Sequence, residues 1–361
     1  MSTSVDALKH LFRLTDDTGI MEHACGIVPR RQEGYSTDDQ ARALWVCLEW
    51  LDIVSERESG RIYALIDKYL SFMLWAQTED GHFHNNFAYD RSREAESPSE
   101  DCLSRCLWAC ARLMVRLPDT NRFIAAETML RQARKYIAGM NSPRGCAYAL
   151  ASFSLLAKHR YPVDYESEVA ALANKLVSHY RRHAREDWHW YEPAATYSNG
   201  LLPWGLLCAY EVTPNRQWLD VAVESLDFLI RLMTNERGQI RPIGNRGWCT
   251  REGRAKWDQQ PIDVMKLGLA AAKAYEIVGR SKYYDAAMKC RAWFHGENDA
   301  RTAMVDPKTG GCYDGIGERG VNYNQGAEAI ISFLLTEAIM MKLTHSGDEV
   351  KVHANYAGAI S

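Results

Sequence analysis

The sequence predicts an all-α protein whose helical hairpins close into a ring of six, an (α/α)6 toroid. Three observations lead there. Nearly every long apolar segment in the 361 residues repeats at three to four positions, and almost none alternates at two. The segments number twelve and fall into pairs. The first members of the pairs begin near 37, 98, 143, 197, 261 and 324, at intervals of 61, 45, 54, 64 and 63 residues, which reads as a degenerate hairpin repeat. An open α-solenoid is the alternative. Irregular repeat lengths and unusually polar helix starts favour the closed ring.

In order, the periodicity predicts helices over about 3–15, 37–55, 60–77, 98–116, 121–140, 143–158, 165–184, 197–212, 215–234, 261–279, 281–297 and 324–343. Thr37 with Gln40 has the spacing of a capping box. Ser97 as N-cap, Pro98 in the first turn and Glu100 form another, and Ser142-Pro143 repeats its first half. Short turns such as Pro214-Asn215 and Gly279-Arg280-Ser281 join some helices. The segments 16–36, 78–97, 185–196, 235–260 and 298–323 are long loops rich in Gly, aromatic and charged residues, too aromatic to be disordered. The expected organisation is one barrel over 1–345 and a C-terminal tail over 346–361.

Composition narrows the function. A balance of 43 basic against 46 acidic residues argues against a nucleic-acid binder that works by phosphate neutralisation. No apolar run approaches the roughly 20 residues of a membrane span, so no membrane partner is expected. The start, MSTSVDALKHLFRL, lacks the basic head and apolar stretch of a secretory signal, and the expected compartment is the cytoplasm. The ten cysteines include no Cys-x-x-Cys pair. Cys102, Cys106 and Cys110 form one helical stripe, read as buried packing rather than a metal or redox site. Neither a metal nor another cofactor is expected.

In a closed ring the six inner helices point the same way, and their N-termini meet at one mouth. The first turns there hold Asp38, Asp39, Asp101, Asp258, Asp263 and Glu328, more carboxylates than capping requires. Crowded carboxyls oppose each other's ionisation, which keeps one of them available as an acid. An acid beside a carboxylate is what glycosidic cleavage uses. Asp39 and Asp101 are the expected catalytic pair, with Asp38 and Asp258 next. The loops add Trp188, Trp190, Trp248, Trp257, Tyr35, Tyr191 and Tyr313, aromatic faces suited to sugar rings. Expected substrate contacts are His23, Tyr35, Arg42, His84, Trp190 and Glu192 on the first four loops and helix starts. Tyr197, Asn199, Gln260 and Asp263 follow, then Tyr313, Asp314, Asn324, Gln325 and Glu328.

The stretches Leu14-Thr15-Asp16-Asp17-Thr18-Gly19-Ile20, Glu33-Gly34-Tyr35-Ser36-Thr37-Asp38-Asp39-Gln40 and Ser99-Glu100-Asp101-Cys102-Leu103-Ser104-Arg105 resemble a family of bacterial and archaeal (α/α)6-barrel proteins. Asp258-Gln259-Gln260-Pro261, Gly310-Gly311-Cys312-Tyr313-Asp314-Gly315 and Asn324-Gln325-Gly326-Ala327-Glu328 extend the likeness over most of the chain. Members of that family are often labelled glycosyltransferases because some are fused or adjacent to true ones and to mannoside phosphorylases. The resemblance therefore implies a six-hairpin glycosidase-like barrel and association with such a partner. This chain shows no strand–helix alternation, so a transferase label does not suit it. A weaker likeness is to endo-α-1,6-mannanases and unsaturated glucuronyl hydrolases. The mannanases use an adjacent Asp-Asp pair, which Asp38-Asp39 resembles.

The leading expectation is an enzyme that cleaves a glycosidic bond of a short oligosaccharide, a mannoside being one candidate. Water is the default acceptor. Phosphorolysis stays open because Arg30, Arg31, Arg42 and Arg144 lie near the same rim. One alternative is a sugar 2-epimerase using His23, His84 or His189 for proton transfer. Another is a non-catalytic oligosaccharide-binding partner of a glycosyltransferase.

Overall fold

Helices that are apolar on all sides must be enclosed, whereas helices with one apolar stripe can face water. The computed structural model, which describes residues 4–118 and 120–358, sorts the helices in this way. In α2 (Thr37–Trp50) thirteen of fourteen residues are buried, and in α3 (Glu56–Ala76) only eight of twenty-one. The same alternation continues through α4 (Glu100–Arg116), α5 (Asn121–Ala133), α6 (Pro143–Lys158) and α7 (Glu166–His183). It goes on through α8 (Leu201–Val212), α9 (Arg216–Leu232), α10 (Pro261–Val278), α11 (Ser281–Phe294) and α12 (Ala327–Gly358). The even-numbered helices pack against one another in chain order, and α12 returns to α2. This closes the ring. The odd-numbered helices α3 to α11 clad the outside, and the short α1 (Lys9–Leu14) backs α12. The fold is the (α/α)6 toroid that the repeat spacing predicts.

The helix starts differ in detail from the sequence reading. Ser36, not Thr37, caps α2, its Oγ accepting the Asp39 amide at 3.3 Å. Gln40 serves instead as a clamp, exchanging two 2.9 Å hydrogen bonds with the backbone of Ile20. Ser99, not Ser97, caps α4. Glu100, freed from the expected box, accepts the amides of Asn141 at 2.8 Å and Ser142 at 2.5 Å, tying the start of α4 to that of α6. Ser142 caps α6 as expected, with Pro143 in its first turn. In each case a hydroxyl satisfies an otherwise unpaired first-turn amide, and the helix N-terminus is fixed to within a residue.

The long loops gather above the N-termini of the inner helices. They contain three small ribbons that the periodicity does not reveal: β1 (Ala24–Cys25) with β2 (Val28–Pro29), β3 (Tyr35–Ser36) with β4 (Asn86–Phe87), and β5 (Gly315–Gly317) with β6 (Gly320–Asn322). All are antiparallel and too short to show an alternation. Nine of the ten cysteines are buried and none is bridged, Cys102, Cys106 and Cys110 among them. Among the described residues no helix is long and apolar enough to cross a membrane. Helix α12 continues past residue 346, where the sequence reading set the start of a tail.

Candidate active site

Three inner helices enter the mouth with one pattern, a first-turn carboxylate followed one turn later by a cation. In α2 these are Asp39 and Arg42, 2.6 Å apart, and in α4 Asp101 and Arg105, 3.7 Å apart. In α10 they are Asp263 and Lys266. The positive end of a helix favours the first and the i,i+3 or i,i+4 spacing brings in the second. Helix α6 contributes Arg144 and α12 contributes Glu328. The result is a tier of carboxyls at the mouth over a tier of cations.

Links between helices lock the tiers together. Arg42 bridges Asp39 to Glu328, donating to the latter at 2.8 Å. Arg105 pairs with Asp38 across from α4 to α2. Asp101 accepts the Tyr197 hydroxyl at 2.7 Å and that of Ser142 at 2.9 Å. Arg144 donates to the Tyr197 carbonyl at 2.7 Å, to Thr196 Oγ1 at 2.6 Å and to Glu192 at 3.1 Å. Lys266 is wholly enclosed; its ammonium bonds the Tyr148 hydroxyl and lies 5.0 Å from the centre of the Trp45 ring. Burial and the neighbouring Arg42 and Arg105 charges push its pKa well down.

The carboxyls do not share one protonation state. Burial raises Asp263 to about 7, and neither of its oxygens meets a hydrogen-bonding side chain among the described residues. Burial, then the charge of Asp39, raises Glu22 to about 7. Burial, then Glu328, raises Asp314 to about 6. Burial also raises Asp39, against the pull of Arg42. Glu328 goes the other way: burial opposes its charge, but the Arg42 guanidinium holds it below the ordinary glutamate value. Its side chain is 36% exposed, whereas Asp39 as a whole is 5% exposed.

Beside the carboxyls, a cleft of about 820 Å3 opens between the loop 245–260 and the β5–β6 hairpin. Asp258, Gln260 and Asp314 line it, with Trp257 and Tyr323 as aromatic walls. Asp258 holds a left-handed φ of 61° and pairs with Arg246. Trp248 and Ser198 are also left-handed, at 58° and 50°. Such backbone is costly for residues with a side chain and persists where the surroundings impose it.

The structure brings most of the expected residues to this mouth. His23 meets Asn324 Nδ2 at 2.9 Å, and Asn324 Oδ1 accepts the Ala24 amide at 2.9 Å. Tyr313 sits edge-on to Tyr323, with centroids 5.7 Å apart. Asn199 is enclosed at the start of α8, donating to the Thr196 carbonyl at 2.7 Å. Gln325 is buried under Gly311, its Oε1 unpaired among the described residues.

Two expected contacts, Trp190 and Tyr35, are corrected. Trp190 is fully buried against Tyr191 and Phe228, so its indole is core and offers no face to a ligand. Tyr35 is buried against Phe72, with its hydroxyl donated to Asp16 at 2.6 Å. His84 is held within its own loop by the Asn86 carbonyl at 3.0 Å and Glu96 at 3.5 Å. A position on a loop does not say which side chains the loop folds inward. Sequence reasoning missed Glu22, Arg105, Tyr148 and Lys266. For Arg105 and Lys266 a signal existed, because each follows a first-turn carboxylate by four or three residues in an otherwise apolar run. Glu22 carries no local signal.

Among the described residues no cluster of His, Cys, Asp and Glu is arranged to hold a metal ion. Neither a family model nor a curated protein sequence matches this chain. Solved structures do. Cellobiose 2-epimerase from Bacillus thermoamylovorans B4167 superposes with a TM-score of 0.72 at 10% identity, covering 92% of this chain and 95% of its own. A D-mannose isomerase gives 0.68 at 10% identity, covering 93% and 96%. The GH76 alpha-mannanase of Bacteroides thetaiotaomicron gives 0.66 at 11% identity, covering 96% and 98%. The chain has the (α/α)6 barrel fold of these enzymes. At these identities the likeness establishes the barrel and leaves its chemistry to be argued from the mouth.

Proposed function

We propose that this barrel cleaves a glycosidic bond of a short oligosaccharide at the N-terminal mouth of its ring, with water as acceptor. The observation that carries the reading is the pairing of unlike carboxyls there. Asp314 lines the large cleft with a pKa raised to about 6, while Glu328 stands by it as a carboxylate held charged by Arg42. Glycosidic cleavage uses one carboxylic acid to protonate the leaving oxygen and one carboxylate to attack carbon or activate water. Asp314 fits the first role and Glu328 the second. Asp39, almost closed off by Arg42 and Ser36, then acts through Arg42 as a positioning residue. Asp38 and Asp101, paired with Arg105 and Tyr197, are placed to take sugar hydroxyls. Trp257 and Tyr323 supply ring-stacking faces. A mannoside is one substrate candidate, in keeping with the GH76 neighbour.

Water suits the acceptor role because three of the four rim arginines are ion-paired: Arg42 with two carboxylates, Arg144 with Glu192, and Arg30 with Glu33 at 2.5 Å, while Arg31 lies over the Tyr89 ring. The test is release of reducing sugar from a panel of manno- and gluco-oligosaccharides by wild type, Asp314→Asn and Glu328→Gln. Each variant is expected to lose about 10²- to 10⁴-fold in kcat with binding retained. Cleavage undiminished in both would sink the assignment.

A second reading, sugar 2-epimerisation, has one observation in its favour. His23 stands among the mouth residues against Asn324, whereas His189 is 2.9 Å from Glu224 on an outer helix. Exchange of deuterium from heavy water into carbon 2 of a free sugar, lost in His23→Ala, would favour it over hydrolysis.

A further inference from the structure

The far mouth of the ring, where the six inner helices end, holds a second cavity. It measures about 330 Å3, and every inner helix contributes to its wall. Its floor is a cluster of three indoles. Trp45 and Trp204 lie nearly parallel at 6.3 Å, and Trp108 meets them edge-on at 5.3 and 4.9 Å. The other side of this layer faces the catalytic tiers: the Lys266 ammonium lies over Trp45, and Tyr148 packs edge-on to Trp204 at 6.1 Å. The two mouths are therefore separate sites divided by one aromatic layer.

Three buried polar groups in the wall of this cavity lack partners among the described residues, the Trp108 Nε1–H, the Ser154 hydroxyl and the Nε–H of Arg112. Trp108 is 7% exposed and Ser154 2%, so water reaches neither freely. Unpaired buried donors are uncommon and mark places where a ligand or ordered water completes the set. The rim carries four cations, Arg112, Lys158, Lys273 and Lys342, against three carboxylates, Glu49, Glu211 and Glu276. Arg112 and Lys342 pair with Glu49, the latter at 2.7 Å, and Lys158 and Lys273 both pair with Glu211 at 2.8 Å. Each of these cations already has a carboxylate partner, so an anion would have to compete with that partner, whereas a neutral ligand would not. The rim still presents many hydrogen-bonding groups at one level, with indole faces beneath.

We propose that this cavity is a second binding site, for a neutral polyhydroxylated ring of hexopyranose size. Indole faces take the apolar side of such a ring, and the Trp108 N–H, the Ser154 hydroxyl and the ion-paired rim take its hydroxyls. The volume falls at the small end of ligand pockets, which suits one ring rather than a chain. This inference stands apart from the reaction proposed above, since none of the residues given a role in that reaction lines this cavity.

The test is isothermal titration calorimetry of the full chain with D-mannose, D-glucose, myo-inositol and inorganic phosphate. Two variants accompany it: Trp108→Phe, which removes the unpaired donor, and Ala272→Phe, which fills the cavity from α10. Wild type is expected to bind at least one neutral ring saturably. Trp108→Phe should weaken that event about three- to tenfold, the worth of one hydrogen bond. Ala272→Phe should abolish it. Thermal melts confirm that both are folded, and if Ala272→Phe is not, Trp108→Phe carries the test. Binding that persists unchanged in the folded variants belongs to the other mouth and overturns the proposal. So does the absence of binding in wild type, or tighter binding of phosphate than of any neutral ring. Failure of glycosidic cleavage would leave this result standing.

Discussion

Arg42 and Glu328 meet at 2.8 Å across 286 residues of chain, on the seam where the last inner helix returns to the first. The contact does two things at once. It helps close the ring, alongside the Trp50 indole bonded to the Leu334 carbonyl at 3.1 Å. It also fixes the charge of the more exposed carboxylate at the mouth. Fold closure and site electrostatics share one guanidinium.

Replacing that guanidinium should therefore damage both. Arg42→Met leaves Asp39 buried without its cation, and breaking a buried pair from one side costs about 3–5 kcal/mol. Urea denaturation at pH 7 should show a loss of that order, and a second change, Asp39→Asn, should restore part of it. A loss under about 1 kcal/mol would contradict the role given to the pair. The pH dependence gives a second readout. Glu328 has a folded pKa below its ordinary value, so its contribution is present above about 4.5 and disappears as pH falls through the folded value. That acid-side loss should be missing in Arg42→Met.

Asp263 should behave in the opposite sense. Its folded pKa of about 7 lies above the ordinary 3.8, so the folded state binds more protons than the unfolded state between these limits. Stability due to this group falls as pH climbs through that window, and the full penalty remains above it. Asp263→Asn removes the cost of burying a charge. Urea midpoints should rise at pH 8 by the equivalent of up to about 4 kcal/mol, with little change at pH 4. A midpoint that drops equally at both values would show that the carboxyl is held by interactions stronger than its desolvation.

Gly200 measures how tightly the mouth is assembled. A Cβ at this position would stand 2.1 Å from the Lys266 carbonyl, a backbone atom of α10 that cannot turn aside. The missing side chain lets the start of α8 lie directly on α10. Gly200→Ala should force the two apart, at a cost of about 1–3 kcal/mol. The displacement should also reach the site through the adjoining Tyr197–Asn199 turn. A melting temperature and turnover equal to wild type would show that the two helices can slide at no cost.

The ring was legible because helical period, hairpin spacing and polar helix starts all pointed one way. The starts were legible only to within two or three residues, since Ser36 and Ser99 compete with Thr37 and Ser97 for one role and tertiary contacts decide. First-turn residues reach the mouth once the helix direction is known, so Asp38, Asp39, Asp101, Asp263 and Glu328 could be named in advance. Which of them are accessible or pinned depends on partners from other helices. Arg105 reaching Asp38 and Arg42 reaching Glu328 are pairings between turns that no local pattern announces. Glu22 lies in a loop and becomes notable only through its nearness to Asp39. Trp190 misleads for the same reason, because in sequence it differs little from a rim tryptophan.

That last contrast can be measured. Trp190 is buried against Tyr191 and Phe228, while Tyr197 sits in the mouth with its hydroxyl on Asp101 at 2.7 Å. Trp190→Ala removes a core indole and should cost about 3–5 kcal/mol, while molecules that remain folded at low temperature keep their KM. Tyr197→Phe removes only a hydroxyl and should melt near wild type. Its effect should fall on the site, because Asp101 is left with the Ser142 hydroxyl at 2.9 Å and Arg105 at 3.7 Å. A hydrogen bond to a charged group is worth about 1.5–3 kcal/mol, so kcat/KM should fall by at least about tenfold. If Trp190→Ala instead raised KM at unchanged stability, the indole would belong to the ligand after all.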